Sequence, residues 1–128
     1  MAKNLGVVLG VVFLVVGALG MFVSNPLVGP SGIFVTDTLH DIVHLATGLL
    51  FLAVAFFAEA SMAMFMKVFG VVYLLVAVLG FLGGDMILGL ITANMADHLL
   101  HVVLGVVILA LGFKVGGNGG SGMGGMTS

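Results

Sequence analysis

The sequence has no cysteine among its 128 residues and very few charged side chains. Without cysteine there is no disulfide, no thiolate metal site, no iron–sulfur cluster and no lipid attached through sulfur. Charged residues make up only 6% of the chain, whereas a soluble domain carries about 25%, and 62% of the residues are hydrophobic. So few charges cannot cover a surface that faces water. The net charge of −2 also provides no basic patch for nucleic acid, so the composition indicates one compact integral membrane unit.

Four apolar runs are each long enough to cross the hydrocarbon core of a membrane, which takes about 20 residues of helix. Hydropathy puts them at about residues 5–23, 38–58, 62–82 and 95–113. Uninterrupted runs of this length indicate helices, because a helix satisfies its own backbone polar groups inside lipid. A β-barrel would show short alternating segments, and these runs do not alternate. The predicted fold class is therefore all-α membrane, a bundle of four transmembrane helices.

The basic residues predict the direction of the spans. With four spans, the three lysines fall on one side of the membrane: Lys3, Lys67 and Lys114. The positive-inside rule makes this side cytoplasmic. We therefore expect a multi-pass protein of the cell (plasma) membrane with both termini in the cytoplasm. Four acidic residues then lie at or near the outer side: Asp37, Asp41, Asp85 and Asp97.

The sequence contains an internal repeat. Residues 10–20 match residues 70–80 at an offset of 60 residues, and residues 37–48 match residues 94–105 at an offset of 57 residues. Each half is a helix, an outer loop and a second helix, so both halves insert in the same direction as parallel repeats. The first span, as the counterpart of the third, is not expected to be a cleaved signal peptide.

These matches define the expected domain organisation. A four-span membrane domain covers residues 1–115, with repeat one at about residues 5–58 and repeat two at about residues 62–113. Turn-forming residues punctuate it at 24–31, 59–61 and 83–85. Residues 116–128 are predicted to be a flexible glycine-rich tail.

A polar stripe opens the second helix of each repeat. The two copies read Asp37-x-x-His40-Asp41-x-x-His44-x-x-x-Gly48 and Asn94-x-x-Asp97-His98-x-x-His101-x-x-x-Gly105. Asp37 and Asn94 are preferred N-cap types, and Asp97 follows Asn94 at capping-box spacing. His40 and His98 are expected at the membrane surface, in contact with water.

The second histidine of each stripe, His44 or His101, lies about 10 Å below the cap at 1.5 Å per residue. We expect both rings to face the bundle interior, because a polar ring in hydrocarbon loses its hydrogen bonds to water. Their role has three interpretations. They hydrogen-bond between helices, they ligate a haem from both sides, or they join a divalent metal site. The full metal set would be His40, His44, His98, His101, Asp41 and Asp97.

The stripes resemble the pattern of an uncharacterised bacterial family of small four-helix membrane proteins, described only as a domain of unknown function. The last helix of that family has the form N-x-x-D…LH-x-x-x-G, which residues 94–105 match. The resemblance covers about residues 5–113, and repeat one departs from it with His40 where repeat two has Asp97. It implies a four-helix fold in a bacterial plasma membrane and no particular activity.

The function predicted from the sequence is a structural or interaction subunit of the cell membrane. Haem or metal binding by the paired histidines is the first alternative, and passage of a small solute or protons is the second. No catalytic residue is assigned, because the polar stripes contain no serine, lysine or cysteine nucleophile. The expected partners are the lipid bilayer and either further copies of the chain or a larger membrane complex, without nucleic acid.

Overall fold

The computed structural model describes residues 1–120. Four helices account for most of this part of the chain: α1 (Ala2–Phe22), α2 (Thr38–Phe57), α3 (Met62–Gly83) and α4 (Met95–Gly120). All four are long and apolar enough to cross a membrane. The predicted four-helix architecture is therefore confirmed, with helix bounds close to those expected from hydropathy.

Short strands, which the sequence analysis did not predict, lie in the two long connections. Between α1 and α2, β1 (Val28–Gly29) pairs in parallel with β2 (Phe34–Val35). Between α3 and α4, β3 (Met86–Ile87) pairs antiparallel with β4 (Ile91–Thr92). Strands of two residues leave no periodic pattern in a sequence, so hydropathy cannot detect them.

The predicted punctuation is confirmed. The connection between α2 and α3 is a single 3₁₀ turn, Glu59–Ser61. α3 ends at Gly83 and is followed by Gly84 with a φ of 72°, a backbone conformation that glycine adopts without steric cost.

The helices pack in two hairpins, α1 against α2 and α3 against α4. Glycine allows the close approach in both. A Cβ added at Gly48 would lie 2.7 Å from the Gly10 carbonyl oxygen, and one added at Gly105 would lie 3.0 Å from the Gly70 carbonyl oxygen. Small residues at such crossings let helix backbones touch, which is how helices associate in lipid.

A cluster of aromatic and sulfur-containing side chains joins the two hairpins. Phe13 of α1 lies 5.4 Å from Tyr73 of α3, and Phe51 of α2 lies 4.8 Å from Phe65 of α3, measured between ring centroids. Met62 and Met66 are fully buried in the same core. This core fills the half of the bundle nearer the α2–α3 turn, below the polar stripes.

The start of the predicted glycine-rich tail is helical. α4 continues to Gly120, because Val115 is buried and Gly116 packs against Ala63 and Lys67 of α3. The flexibility expected for residues 116–128 stays a prediction. Residues 121–128 of the predicted tail lie outside the described residues.

Candidate metal centre

The N-terminus of each stripe-bearing helix is capped as the sequence predicts. In α2, Asp37 Oδ1 accepts a hydrogen bond from the backbone N–H of His40 at 2.8 Å. In α4, Asn94 Oδ1 accepts one from the Asp97 N–H at 3.1 Å, and Asp97 Oδ2 accepts one from the Asn94 N–H at 2.9 Å. The second arrangement is a capping box with aspartate in place of glutamate.

The same caps also tie the two halves of the molecule together. Asp37 Oδ2 accepts a hydrogen bond from the backbone N–H of Thr92 at 3.0 Å, and Asn94 Nδ2 donates one to the Ile33 carbonyl at 2.8 Å. Each cap thus holds the loop of the opposite half. These contacts fix the start of α2 relative to the start of α4, and no pattern in the sequence indicates them.

The hydrogen bonds at Asp37 also change its acidity. Partial burial acts to raise the pKa of this carboxyl group, but the N–H groups of His40 and Thr92 stabilise the carboxylate, and the net pKa lies below its ordinary value of 3.8. The cap is therefore ionised at neutral pH, as suits the positive end of a helix dipole.

Three histidines meet one to two turns into the bundle. His40 and His44 come from α2 and His101 comes from α4, and all three are at most 5% exposed. One ligand-competent nitrogen from each lies within 4.8 Å of those of the other two. The ring centroids are 4.6 Å apart for His40 and His44, and 6.2 Å apart for His44 and His101. We call these three residues the histidine triad.

The hydrogen bonding of His40 fixes its tautomer. Its Nδ1 lies 2.8 Å from the carbonyl oxygen of Thr92 in β4. Because a carbonyl can only accept, Nδ1 carries the proton and donates it. A neutral ring in this state keeps a lone pair on Nε2. Metal-bound histidines commonly donate their other nitrogen to a carbonyl in this way.

Each ring of the histidine triad has a buried nitrogen without a hydrogen-bond partner in the described part of the chain: Nε2 of His40, Nδ1 of His44 and Nδ1 of His101. Leaving one such group unsatisfied costs about 1–3 kcal/mol. Each ring of the triad therefore has one nitrogen that no protein group in the described residues occupies.

Aromatic side chains close the lower side of the triad. Phe13 lies 6.0 Å from His44 and Tyr73 lies 5.6 Å from His101, between ring centroids. The Tyr73 hydroxyl donates a hydrogen bond to Thr47 Oγ1 at 3.4 Å, and Thr47 in turn donates to the Val43 carbonyl at 2.8 Å. Phe13 and Tyr73 also belong to the apolar core, so the triad borders that core.

The other three members of the proposed six-residue metal set lie apart from the triad. The ring of His98 packs on Gly80 of α3, and its Nε2 donates to the carbonyl of Gly84. The Asp97 carboxylate serves the α4 cap, and the Asp41 carboxylate lies against Gly20 of α1.

The contact with water expected for His40 and His98 was wrong, since both are at most 2% exposed. The reason lies in tertiary structure. β4 and its neighbouring residues cover His40 from the opposite half, and the end of α3 covers His98. A hydropathy pattern cannot reveal that a loop folds back over a helix start. The interior position expected for His44 and His101 agrees with their burial and contact.

The family model that matches the chain is described as a domain of unknown function (DUF4383), and the match covers residues 3–114. The chain belongs to this family. The matched range includes all four helices up to Lys114 and every residue of the histidine triad. No curated protein and no solved structure matches the chain.

Proposed function

We propose that this DUF4383 protein is a small membrane protein that binds a divalent transition-metal ion through His40, His44 and His101. The observation that carries the proposal is the convergence of three buried imidazole rings from two helices, with a nitrogen from each inside a span of 4.8 Å. Imidazole nitrogens suit zinc, copper, iron and nickel.

The geometry of the triad supports a small ion. Metal–nitrogen bonds of about 2.0–2.1 Å at the tetrahedral angle put ligand nitrogens about 3.3 Å apart. Three nitrogens already within 4.8 Å reach this separation by small rotations of their side chains. Three protein ligands leave a fourth position for water or a small molecule, as in zinc sites that perform chemistry.

The surroundings of the triad argue against the haem alternative. A haem held by His44 and His101 needs a flat space between the two rings, several times wider than an imidazole. His40 lies 4.6 Å from His44 and 5.7 Å from His101, and so occupies one side of that gap. Phe13 and Tyr73 pack against each other on another side. A metal ion fits this arrangement better than a porphyrin does.

The membrane setting follows from the four apolar helices, and the orientation is part of the proposal. The backbone N–H of Lys3 donates to Glu59 beside the α2–α3 turn, and Lys67 lies over the ring of Phe113 at 4.7 Å. The lysines thus gather at the end away from the triad, which supports a cytoplasmic location for that end of a cell-membrane protein. Reporter fusions after Lys67 and after Lys114 test it, and an external signal from either contradicts it.

Matched contacts in the two hairpins support the parallel repeat. Gly48 crosses Gly10 as Gly105 crosses Gly70, and Phe13 meets its counterpart Tyr73 between the halves. His44 and His101 are counterparts as well. On this account, an approximate two-fold axis passes through the metal site, and His40 is a third ligand that only the first half provides.

Metal analysis of the purified protein tests the proposed function. After equilibrium dialysis against zinc, we expect one ion per chain in the wild-type protein. His44→Gln and His101→Gln should each lose stoichiometric binding, because the amide is a poor ligand although it still hydrogen-bonds. His98→Gln is the matched control, since this buried histidine lies outside the triad. It should retain the ion.

The opposite results have a clear meaning. If the wild-type protein folds but binds no zinc, copper or cobalt in stoichiometric amount, the triad has only a structural role in the packing of α2 and α4. The protein is then better described as a structural or interaction subunit, the function first expected from the sequence. Equal loss of metal in His98→Gln would also contradict the three-residue site.

A further inference from the structure

A surface cavity of about 370 Å³ lies beside the end of α1. Residues 20–25 and 28–31 line it, that is, the last turn of α1 and the loop through β1. Asn25 makes this loop rigid. Its amide group donates to the carbonyls of Leu19, Val23 and Val28, and its Oδ1 accepts from the N–H groups of Leu27 and Val28. These hydrogen bonds stabilise the loop that forms the cavity.

The Asp41 carboxyl group packs against Gly20, one of the residues that line this cavity. Gly20, which lines the cavity, has no side chain, and a Cβ added there would overlap Asp41 Oδ1. Asp41 is only 2% exposed, and its Oδ1 has no hydrogen-bond partner within the part of the chain that the structure describes. Asp41 is also the next residue after His40 of the triad on α2. A carboxyl group with one unpartnered oxygen therefore lies against a residue that lines the cavity, on the helix that carries two of the three histidines.

The corresponding position in the second half carries a different side chain. The counterpart of Gly20 is Gly80, and the side chain that lies against it is His98. Here the ring is held by its hydrogen bond to the Gly84 carbonyl. The two halves thus carry different groups at this position, a carboxyl group and a hydrogen-bonded imidazole. Each has one buried atom, Asp41 Oδ1 or His98 Nδ1, without a hydrogen-bond partner in the described residues.

We propose that the cavity beside α1 is the entrance through which the metal ion reaches the histidine triad, and that Asp41 is the first anionic group that binds the ion on its way. The inference rests on the proposed metal-binding function. A divalent cation leaving water loses much of its hydration, and an acidic group along the path lowers that barrier and raises the local ion concentration. Asp41 is a transit ligand, and the final ligands are the three histidines.

The absence of cysteine allows a direct test of the route. Ser31→Cys puts a single thiol in the cavity, and Ser61→Cys puts one in the turn at the other end of the bundle. Both positions are exposed. Each full-length variant is placed in lipid nanodiscs, with and without a bulky maleimide on its thiol. The uptake of Co²⁺ is then followed by the absorbance of the bound ion, and its equilibrium content is measured separately.

We expect the label on Ser31→Cys to slow Co²⁺ uptake at least about tenfold, and the label on Ser61→Cys to leave the rate unchanged. Asp41→Asn, which keeps the shape of the side chain, should slow uptake and release by a similar factor of about ten, within the range of electrostatic focusing. Its final cobalt content should equal that of the wild-type protein. His98→Gln is the matched substitution in the other half and should keep the wild-type rate.

The outcomes separate this inference from the proposed function. A wild-type protein that takes up no cobalt at equilibrium overturns the metal function, and the route with it. Normal cobalt binding with an unchanged rate after labelling Ser31→Cys overturns the entrance alone. If Asp41→Asn loses cobalt at equilibrium, Asp41 is a final ligand and its assignment to transit is wrong. Slower uptake after labelling Ser61→Cys would place the entrance at the other end.

Discussion

His40 differs from His44 and His101 because one of its ring nitrogens has a fixed partner. Its Nδ1 donates to the Thr92 carbonyl, and this hydrogen bond holds the ring beside the other two. The ligand of the first half is therefore oriented by the loop of the second half. The counterpart of His40 is Asp97, which serves as a cap and does not reach the triad. Because the first repeat has His40 where the second has Asp97, the third imidazole comes from the first repeat.

Asp37 is the residue on which this orientation depends most. Its two oxygens accept from the His40 N–H and the Thr92 N–H, so it holds both partners of the His40 ring contact. Asp37→Ala should destabilise the fold by about 1–2 kcal/mol, the loss of a good N-cap. Asp37→Asn should lose less stability, because its amide oxygen can still cap α2 as the Asn94 amide oxygen caps α4. Denaturant unfolding in detergent measures the stability of both variants. Equal losses of stability in Asp37→Ala and Asp37→Asn would contradict the capping role.

The lowered pKa of Asp37 predicts that the free energy of unfolding falls at acid pH. Hydrogen bonding lowers the folded-state pKa of Asp37 below 3.8 despite partial burial. A lowered pKa gives stabilisation that is present above the unfolded value and is lost as the pH falls through the folded value. The wild-type protein should therefore lose more stability than Asp37→Asn between neutral pH and about pH 3. Parallel loss in both proteins would contradict this assignment.

At the scale of elements, the helices and their caps follow from local sequence, and the covering loops do not. Asp37 and Asn94 are cap types that directly precede apolar runs, so the starts of α2 and α4 are predictable. The burial of His40 and His98 depends on contacts with residues 52 and 14 positions away. No periodic pattern encodes such contacts. The same limit explains why the sequence indicated six candidate ligands and the structure brings together three.

The crossing of α1 and α2 makes a prediction about Gly48. A methyl group there would lie 2.7 Å from the Gly10 carbonyl oxygen and 2.8 Å from Leu14 Cγ, so the helices must separate. Gly48→Ala should destabilise the fold by about 1–3 kcal/mol, as overpacking does. Gly117→Ala is the matched control in α4, where nothing lies within 4 Å of an added Cβ. It should be neutral or slightly stabilising, and thermal unfolding of both variants in detergent compares them.

For the whole molecule, the two hairpins meet through an aromatic core, through the loops held by Asp37 and Asn94, and through the triad. A metal ion on His40, His44 and His101 would link α2 to α4 and so add a bond between the halves. Stabilisation by a bound ion grows with the ratio of its concentration to its dissociation constant. On the proposed function, metal binding would therefore be coupled to the assembly of the bundle.

The most direct measurement of this account is X-ray absorption at the metal edge of the zinc-loaded, full-length protein. We expect three imidazole nitrogens at about 2.0–2.1 Å with one further light ligand, and no stoichiometrically bound zinc in His101→Gln. A wild-type spectrum with carboxylate oxygens in place of the imidazoles, or with zinc surrounded by water alone, would contradict it.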